Sequence, residues 1–314
     1  ALLNLQSALE ESVLYGTETN LEYLRALSHD PQLQQGLVTT RYLNEFTYHP
    51  TRIDVLNGGT QTTIQDMPSR IGYWNVGVPP SGPFDRYSFQ LANRLLDNPS
   101  EAAGLEIAVQ GPQLKFASDT QVVFGGAEID ATLDGEAVKP WTVINVNAGQ
   151  ELSLGRVSGA GARAYLCIRG GVQCPEYLGS RSTFTLGQFG GHNGRALRVG
   201  DVLHLADTPL VRGIDSLNPE LIPDISDESE LRVIYGPHGA PDFFTDEDID
   251  TFFAHTWEVH YNSSRTGVRL IGPKPNWARE NGGEAGLHPS NIHDNAYAFG
   301  TVDFTGDMPV ILGP

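Results

Sequence analysis

Residues 121–136 read Gln-Val-Val-Phe-Gly-Gly-Ala-Glu-Ile-Asp-Ala-Thr-Leu-Asp-Gly-Glu, and this stretch decides the fold class. Two short runs, residues 121–125 and 129–133, are rich in apolar and β-branched side chains and are separated by glycines. Asp134 and Gly135 then supply the pair that a tight two-residue hairpin turn favours. The stretch therefore predicts short strands joined by tight turns.

The same texture continues along most of the chain after residue 51. Further candidate strands cover residues 52–56, 62–65, 149–154, 163–168, 201–205 and 231–235. One helix interrupts them, with Asp85 as its cap, and a second, acidic helix covers residues 243–253 with Thr245 as its cap. In residues 1–48, leucines at helical spacing predict three short helices that end before Pro50. We therefore predict a mainly β chain preceded by a short α-helical segment.

Charge and cysteine content exclude several classes of protein. The chain has 38 acidic and 20 basic residues and a net charge of −18. This balance argues against a sequence-independent nucleic-acid binder and against an anionic membrane surface as partner. No apolar run is long enough to span a bilayer. Cys167 and Cys174 form neither a disulfide framework nor a zinc site, and the histidines are irregularly spaced, so we expect a cytoplasmic protein without a metal site.

A segment rich in Pro, Asp and Ser divides the chain. It covers residues 209–229 and predicts a linker between a first β subdomain, residues 51–208, and a second, residues 230–314. Residues 1–50 form the helical segment that precedes both. The strand-like residues 309–312 run directly into the final Gly-Pro, so we expect a piece of a longer polypeptide, cut within the second subdomain.

Three polar, turn-forming segments are candidates for a functional site. Residues 77–85 come first, although Asp85 could simply cap the following helix. Residues 179–195 follow, and they form either a long turn or a loop that faces a ligand. The third segment, residues 283–295, holds a Glu, two His, two Asn and an Asp. Asn offers a donor together with an acceptor and a carboxylate offers acceptors, so this set complements a small amide.

These segments resemble the carboxyltransferase family, which includes a 5-oxoprolinase subunit and the carboxyltransferase domain of urea carboxylase. The resemblance is carried by residues 62–66, 72–74, 77–85, 179–183 and 189–195. Residues 272–279, 288–297 and 303–309 resemble the urea carboxylases in particular. Residues 10–20 and 39–43 look like the last helices of a biotin carboxylase domain, which directly precedes the carboxyltransferase in urea carboxylase.

The resemblance implies cyclophilin-like β-barrels that move CO₂ from carboxybiotin to urea and give allophanate. It implies biotin on a carrier domain absent from this chain, and ATP and Mg²⁺ for the full-length enzyme. The partners would be urea, carboxybiotin and the remaining domains of the same polypeptide, so the fragment alone is expected to be inactive. The predicted catalytic residues are His293 and Asp294, and the predicted substrate-binding residues are Asn291 and Asn295 for urea and Tyr73, Ser81 and Asp85 on the biotin side.

Two other functions stay open at this point. The chain could be a 5-oxoprolinase or an allophanate-hydrolase-related subunit that acts on a small amide, or it could be a regulatory binding module. A much longer gene product with a biotinylated lysine supports urea carboxylase, whereas a free-standing chain near this length supports the alternatives.

Overall fold

The computed structural model describes residues 1–210, 216–279, 282–286, 288–293 and 298–314. Its helices are α1 (Leu2–Glu11), α2 (Leu21–His29), α3 (Pro31–Gln34), α4 (Tyr42–Glu45), α5 (Arg86–Leu95) and α6 (Asp246–Ala254). The strands of the first part are β1 (Arg52–Asn57), β2 (Gln61–Gln65), β3 (Gly104–Ala108), β4 (Gln113–Phe116), β5 (Thr120–Gly126), β6 (Glu128–Leu133), β7 (Glu136–Ala137), β8 (Ile144–Val146), β9 (Glu151–Ser158), β10 (Ala164–Ile168), β11 (Val172–Gln173) and β12 (Val202–Leu205). They are followed by β13 (Glu258–Val259), β14 (Gly267–Ile271), β15 (Val302–Thr305) and β16 (Met308–Leu312). The prediction of a mainly β chain with few helices is confirmed.

Two antiparallel sheets build the first compact unit, which ends at Asp227. The larger sheet has the order β11-β12-β1-β4-β9-β6-β7, and the smaller has the order β2-β3-β10-β5-β8. Successive side chains of a strand point to opposite faces. Apolar residues from both sheets therefore meet in one core, with Ile53 and Phe116 from the larger sheet and Leu105 and Phe124 from the smaller.

Helix α5 covers the other face of the smaller sheet. Its Phe89 and Ala92 pack with Val123 and Tyr165 in a second apolar cluster. Because both faces of this sheet are covered, β3 and β10 are buried along their whole length. The helix begins after Asp85, as predicted.

The connection between α1 and α2 is tied to the larger sheet by side chains. The hydroxyl of Tyr15 lies 2.9 Å from Nδ1 of His192. The carboxylate of Glu18 accepts a hydrogen bond from Arg52 at 3.1 Å and lies 3.8 Å from His204. Arg52 and His204 face each other as register partners of β1 and β12. We call residues 12–20 the N-terminal strap.

The second compact unit comprises Glu228–Pro314. Its sheet has the order β13-β14-β16-β15, and neighbouring strands are antiparallel. Helix α6 contacts this sheet where Phe252 meets Phe304 of β15. Thr305 pairs with Met308, so β15 and β16 are joined by the two-residue loop Gly306-Asp307. Gly306 has a φ of +64°, a conformation that glycine adopts without steric cost at the first position of such a loop.

The elements that the sequence predicts are found in the structure, with one clear error, and further short strands such as β3, β4 and β14 were not predicted. The hairpin at Asp134 and Gly135 is confirmed, with φ values of +50° and +87° and with Leu133 paired to Glu136. The expected strand at residues 231–235 is wrong, because these residues are exposed and adopt no strand. A strand needs a neighbour that takes its N–H and C=O groups, and no described strand pairs with this run. None of the helices in the described ranges is long and apolar enough to cross a bilayer.

Candidate functional site

The segment at residues 77–85 is built into the first unit. Ser81 is 1% exposed, and the N–H of the neighbouring Gly82 donates to Oε1 of Gln65 at 3.0 Å. The carboxylate of Asp85 accepts hydrogen bonds from the N–H and the hydroxyl of Ser88, at 3.0 and 2.5 Å. Asp85 is therefore the cap of α5, which was the simpler of the two interpretations of this residue.

Tyr73 differs from Ser81 and Asp85 in its burial and in its neighbours. It is half-buried and precedes the 3₁₀ turn Trp74–Val76, whose Trp74 and Val76 are 49% and 66% exposed. The three residues predicted for the biotin side thus have three different settings, and a biotin-binding role for them stays a prediction.

The second polar segment, residues 179–195, closes around Asp66 in the interior of the first unit. The Asp66 carboxylate accepts hydrogen bonds from the hydroxyls of Ser180 and Ser182, both at 2.6 Å, and from the N–H of Arg181 at 2.7 Å. Arg70 is fully buried beside it and donates to the carbonyl of Ser182 at 2.8 Å. We call these residues the Asp66 network.

The third polar segment, residues 283–295, borders a cavity of about 640 Å³ in the second unit. Ser290 and Ile292 line the cavity. The side chains of Asn291 and His293 are exposed and do not line it. The other two predicted residues, Asp294 and Asn295, lie outside the described residues.

Helix α6 holds one wall of this cavity through Asp248. The side chains of Thr245 and Asp248 form a reciprocal capping box at the start of the helix. The same Asp248 carboxylate accepts the N–H groups of Asn276 and Trp277 at 2.7 and 3.1 Å. Burial raises the pKa of Asp248, but these N–H groups and Thr245 outweigh burial and lower the pKa overall. One carboxylate thus fixes both the helix start and the loop that carries Lys274.

Trp277 is held in an unusual conformation at the centre of this wall. Its φ is +61°, in the left-handed region that bulky residues rarely adopt. Its indole ring stacks on Phe244 with 4.8 Å between ring centroids and meets His288 edge-on at 5.5 Å. Strain of this kind is found where a surrounding structure fixes a functional geometry. The aromatic residues that line the cavity are Tyr235, Phe243, Phe244, Phe252, Phe253, Trp257, Trp277, Phe299 and Phe304.

Asp307, at the tip of the β15–β16 hairpin, joins the polar groups around the cavity. Its Oδ1 accepts from the indole N–H of Trp277 at 3.1 Å and lies 3.3 Å from Nε2 of His288. Its Oδ2 lies 3.2 Å from Nζ of Lys274. Hydrogen bonds from Trp277 and Lys274 and the charge of Lys274 hold the pKa of Asp307 below its usual value. Ser290 completes this group, which we call the Asp307 cluster.

Sequence reasoning missed Asp307 and Asp303 as site residues, although both lie in a segment that carries the resemblance. Asp303 lines the cavity, and burial raises the pKa of its carboxyl group. A carboxyl group of raised pKa in a cavity is a candidate for proton transfer. In the described ranges, no group of three or more His, Cys, Asp and Glu side chains is placed to hold a metal ion.

These features describe a mainly β protein with an aromatic cavity that is lined by a lysine, a serine and two carboxylates, with Asp307 and His288 in contact with that lysine and that serine. Residues 76–314 match the family of the carboxyltransferase domain, subdomains A and B. The chain belongs to this family, and the resemblance seen in the sequence is confirmed.

Individual proteins of known name resemble this chain to different degrees. The chain is 48% identical to urea amidolyase of Saccharomyces cerevisiae over 99% of its own length and 17% of that protein. It superposes on the crystal structure of urea carboxylase of Kluyveromyces lactis with a TM-score of 0.91 and 46% identity, covering all of this chain and 28% of the other. It is 30% identical to a 5-oxoprolinase subunit of Haemophilus influenzae over 70% of its length and 68% of that protein. The chain thus spans less than a fifth of the length of the urea amidolyases it matches.

Proposed function

We propose that this chain is the carboxyltransferase part of a biotin-dependent urea carboxylase, which carboxylates urea to allophanate. The observation that carries the proposal is the identity of nearly half of all residues to urea amidolyase along 99% of the chain. The Asp307 cluster supports it, because its residues lie in the three segments that resemble urea carboxylases in particular. Cyclophilin-like barrels as the architecture, and the domain boundaries at residues 50, 208 and 229, belong to the same proposal.

The cavity of the second unit is the proposed place of the transfer. Small-molecule sites are typically apolar clefts of about 300–1,000 Å³ with a few polar groups that fix orientation. The volume of 640 Å³ falls in this range and exceeds what a molecule as small as urea needs. It therefore has room for the flat ureido ring of biotin beside urea, with Trp257 and Phe304 as apolar walls.

The residues around the cavity fit such a group in chemistry as well as in size. Bound biotin supplies the activated carboxyl group. The chain itself orients urea, and aromatic walls exclude water from the reacting atoms; positioning alone can contribute several kcal/mol to catalysis. Asp303, with its raised pKa, is placed to hold a proton at the cavity wall. ATP, Mg²⁺ and the biotin carrier belong to other domains of the proposed full-length protein.

Urea nitrogen needs this help because its lone pairs are delocalised into the carbonyl, which makes the nitrogen a weak nucleophile. His293 and Asp294 stay the residues predicted from the sequence for proton transfer, with Asn291 and Asn295 for urea recognition. The described geometry adds Ser290, Lys274 and Asp303, which line the cavity themselves.

A cavity-filling substitution tests the location of the site. Ile292→Trp places a large ring in the cavity, whereas Ile271→Trp adds the same ring at a 44% exposed position that does not line it. In the full-length protein, Ile292→Trp should reduce urea-dependent carboxylation at least about tenfold, equivalent to about 1.4 kcal/mol. ATP-dependent carboxylation of biotin should be unchanged in both variants.

Two of the following three results would contradict the proposal. Equal activity of the two Trp variants would move the site elsewhere. Equal loss of both half-reactions in Ile292→Trp would point to misfolding. Turnover of 5-oxoproline in place of urea by the unsubstituted protein would favour the 5-oxoprolinase alternative. The 30% identity to the Haemophilus influenzae protein is the observation that favours this alternative.

A further inference from the structure

His288 is held in one tautomer by its neighbours. Its Nδ1 accepts the backbone N–H of Ser290 at 3.2 Å, so this nitrogen carries no proton. The proton of the neutral ring therefore lies on Nε2, which is 3.3 Å from Oδ1 of Asp307. The backbone N–H of Ser290 thus sets the tautomer, and the carboxylate of Asp307 lies beside the protonated nitrogen and favours it.

This tautomer determines what the hydroxyl of Ser290 can do. Oγ of Ser290 lies 2.9 Å from the unprotonated Nδ1 of His288, so the hydroxyl is the donor of that hydrogen bond. Oγ also accepts the N–H of Gly306 at 3.1 Å. A serine hydroxyl has one donor and two lone pairs. Among the described residues, its donor and one lone pair are therefore engaged, and one lone pair is left on a side chain that lines the cavity.

A donor is placed beside this acceptor by the same carboxylate. Nζ of Lys274 lies 3.2 Å from Oδ2 of Asp307, and Lys274 also lines the cavity. An ammonium group has three N–H donors and no acceptor. One of them is directed to Asp307, and the remaining donors have no partner among the described residues and are available to a ligand oxygen.

We propose that Ser290 determines substrate specificity: His288 and Asp307 make its hydroxyl an acceptor for an N–H group of the substrate, and Lys274 donates to the substrate carbonyl. The chemical class selected in this way is a small planar amide with an N–H next to its carbonyl. This inference rests on the proposed function and names the groups that would hold urea. His288 and Asp307 act through Ser290 and are positioning residues.

The role differs from that of Asn291, which the sequence favours for urea recognition. An amide side chain presents both a donor and an acceptor, so it would tolerate ligands of either kind. Ser290 with its proton committed presents an acceptor alone, and it selects against ligands that lack an N–H. Fully N-methylated urea keeps the carbonyl and loses every N–H, so it separates these two modes of recognition.

The test is a double-mutant cycle on the full-length protein with urea as the varied substrate. Ser290→Ala should raise KM for urea about three- to tenfold, the range for one lost hydrogen bond. Asp307→Asn should raise KM by a similar factor or more, because it removes the carboxylate beside Nε2 of His288 and the ion pair that positions Lys274. The effects of the two changes should combine less than multiplicatively, since both weaken the hydrogen bond from the substrate to Ser290. Thr305→Ala removes an exposed hydroxyl one residue before Gly306 and should leave KM unchanged.

Two further measurements sharpen the cycle. Ser290→Thr retains the hydroxyl and should restore KM to within about twofold of the unsubstituted value, a difference of less than about 0.5 kcal/mol. Inhibition by tetramethylurea should be weak for the unsubstituted protein and should be unaffected by Ser290→Ala, because this compound offers no N–H to Ser290.

The outcomes separate the two levels of the proposal. A KM of Ser290→Ala equal to that of Thr305→Ala would overturn the role of Ser290. Multiplying effects in the double variant would overturn the link through His288. An unsubstituted protein without urea-dependent turnover, but with biotin carboxylation intact, would overturn the proposed function itself.

Discussion

Asp66 and Asp307 each collect several hydrogen-bond donors, but their surroundings differ. Asp66 is 5% exposed, and its partners Ser180, Arg181 and Ser182 belong to one buried turn. The side chain of Asp307 is 34% exposed, and its partners come from separate loops and include a lysine that is 79% exposed. The first network lies in the interior, where Nη1 of Arg70 has no hydrogen-bond partner among the described residues, and the second borders a cavity.

The difference shows why a conspicuous polar motif is not by itself a binding site. Buried polar groups are almost always satisfied by neighbours, and the three hydrogen bonds that the Asp66 carboxylate accepts stabilise the fold. In the Asp307 cluster, Ser290 and Lys274 keep hydrogen-bonding capacity on the cavity side. The predictions below test this contrast in order of decreasing effect on stability.

Asp66→Ala should cause the largest loss of stability. It leaves two buried hydroxyls and the N–H of Arg181 without their acceptor, next to the buried guanidinium of Arg70. Removal of one partner from a buried charged network costs about 3–5 kcal/mol. Guanidinium denaturation should show this loss, whereas Asp130→Ala at an exposed position of β6 should change the free energy of unfolding by less than about 0.5 kcal/mol. Comparable small effects of both would refute the stabilising role of the Asp66 network.

Asp248→Ala should have an intermediate effect, because it removes a helix cap and the anchor of the Lys274 loop together. A lost cap costs about 1 kcal/mol, and stranding two backbone N–H groups adds roughly 1–2 kcal/mol. The fluorescence of Trp277 should change as well, since the backbone N–H of Trp277 donates to the Asp248 carboxylate. Asp246→Ala, an exposed neighbour in the same helical turn, is the control. An unchanged tryptophan signal with lost stability would restrict Asp248 to capping.

Acidification should weaken the attachment of the N-terminal strap. Burial lowers the pKa of His192 below 6.5, although Asp201 acts in the opposite direction, and Arg195 and His204 also disfavour its charge. The contribution of His192 to stability is therefore complete above about pH 6.5 and is lost as pH falls through its lower folded pKa.

Tyr15→Phe measures the strap contact at pH 7.5. It removes the hydroxyl that contacts His192 and should cost about 1 kcal/mol. Hydrogen exchange of α1 and α2 follows the strap directly. Protection that is independent of pH between 7.5 and 5.5 would contradict the role of His192.

Asp307→Asn should have the smallest effect on stability. Its ion pair with the exposed Lys274 contributes about 0–1 kcal/mol, while its effect on KM for urea is expected to be several-fold. Because the pKa of Asp307 is lowered, its contribution is present above about pH 4 and is lost below that. Calorimetry of the preparations that are used for kinetics measures this change in stability and its pH dependence. A stability loss as large as that of Asp66→Ala would make the two networks alike.

Local chemistry made most of the fold predictable. The hairpin at Asp134 and Gly135 needs only its turn residues, and α6 needs only Thr245 and the acidic first turn that follows it. Strand β3 was not predicted, because Glu106 interrupts its apolar pattern while being only 4% exposed, buried beside Arg163 at 3.5 Å. Pairing partners far along the chain decide such cases.

The site was predictable only as a region. Polar motifs mark its segments, but the assignment of Asp307 depends on three pieces of backbone that converge in space. The sequence of a loop does not show which of its side chains face a cavity. Asn291 was therefore favoured, although Ser290 and Ile292 line the cavity. The roles of Asp294 and Asn295 stay predictions.

The position of Glu18 in the N-terminal strap has a mechanical consequence. Glu18 reaches both members of a cross-strand pair, Arg52 on β1 and His204 on β12. These strands lie inside the larger sheet, away from its edges. A force applied to α1 and α2 therefore reaches the sheet through part-exposed ion pairs that contribute about 0–1 kcal/mol each, so the strap should detach before the hydrogen bonds between β1 and β12 shear.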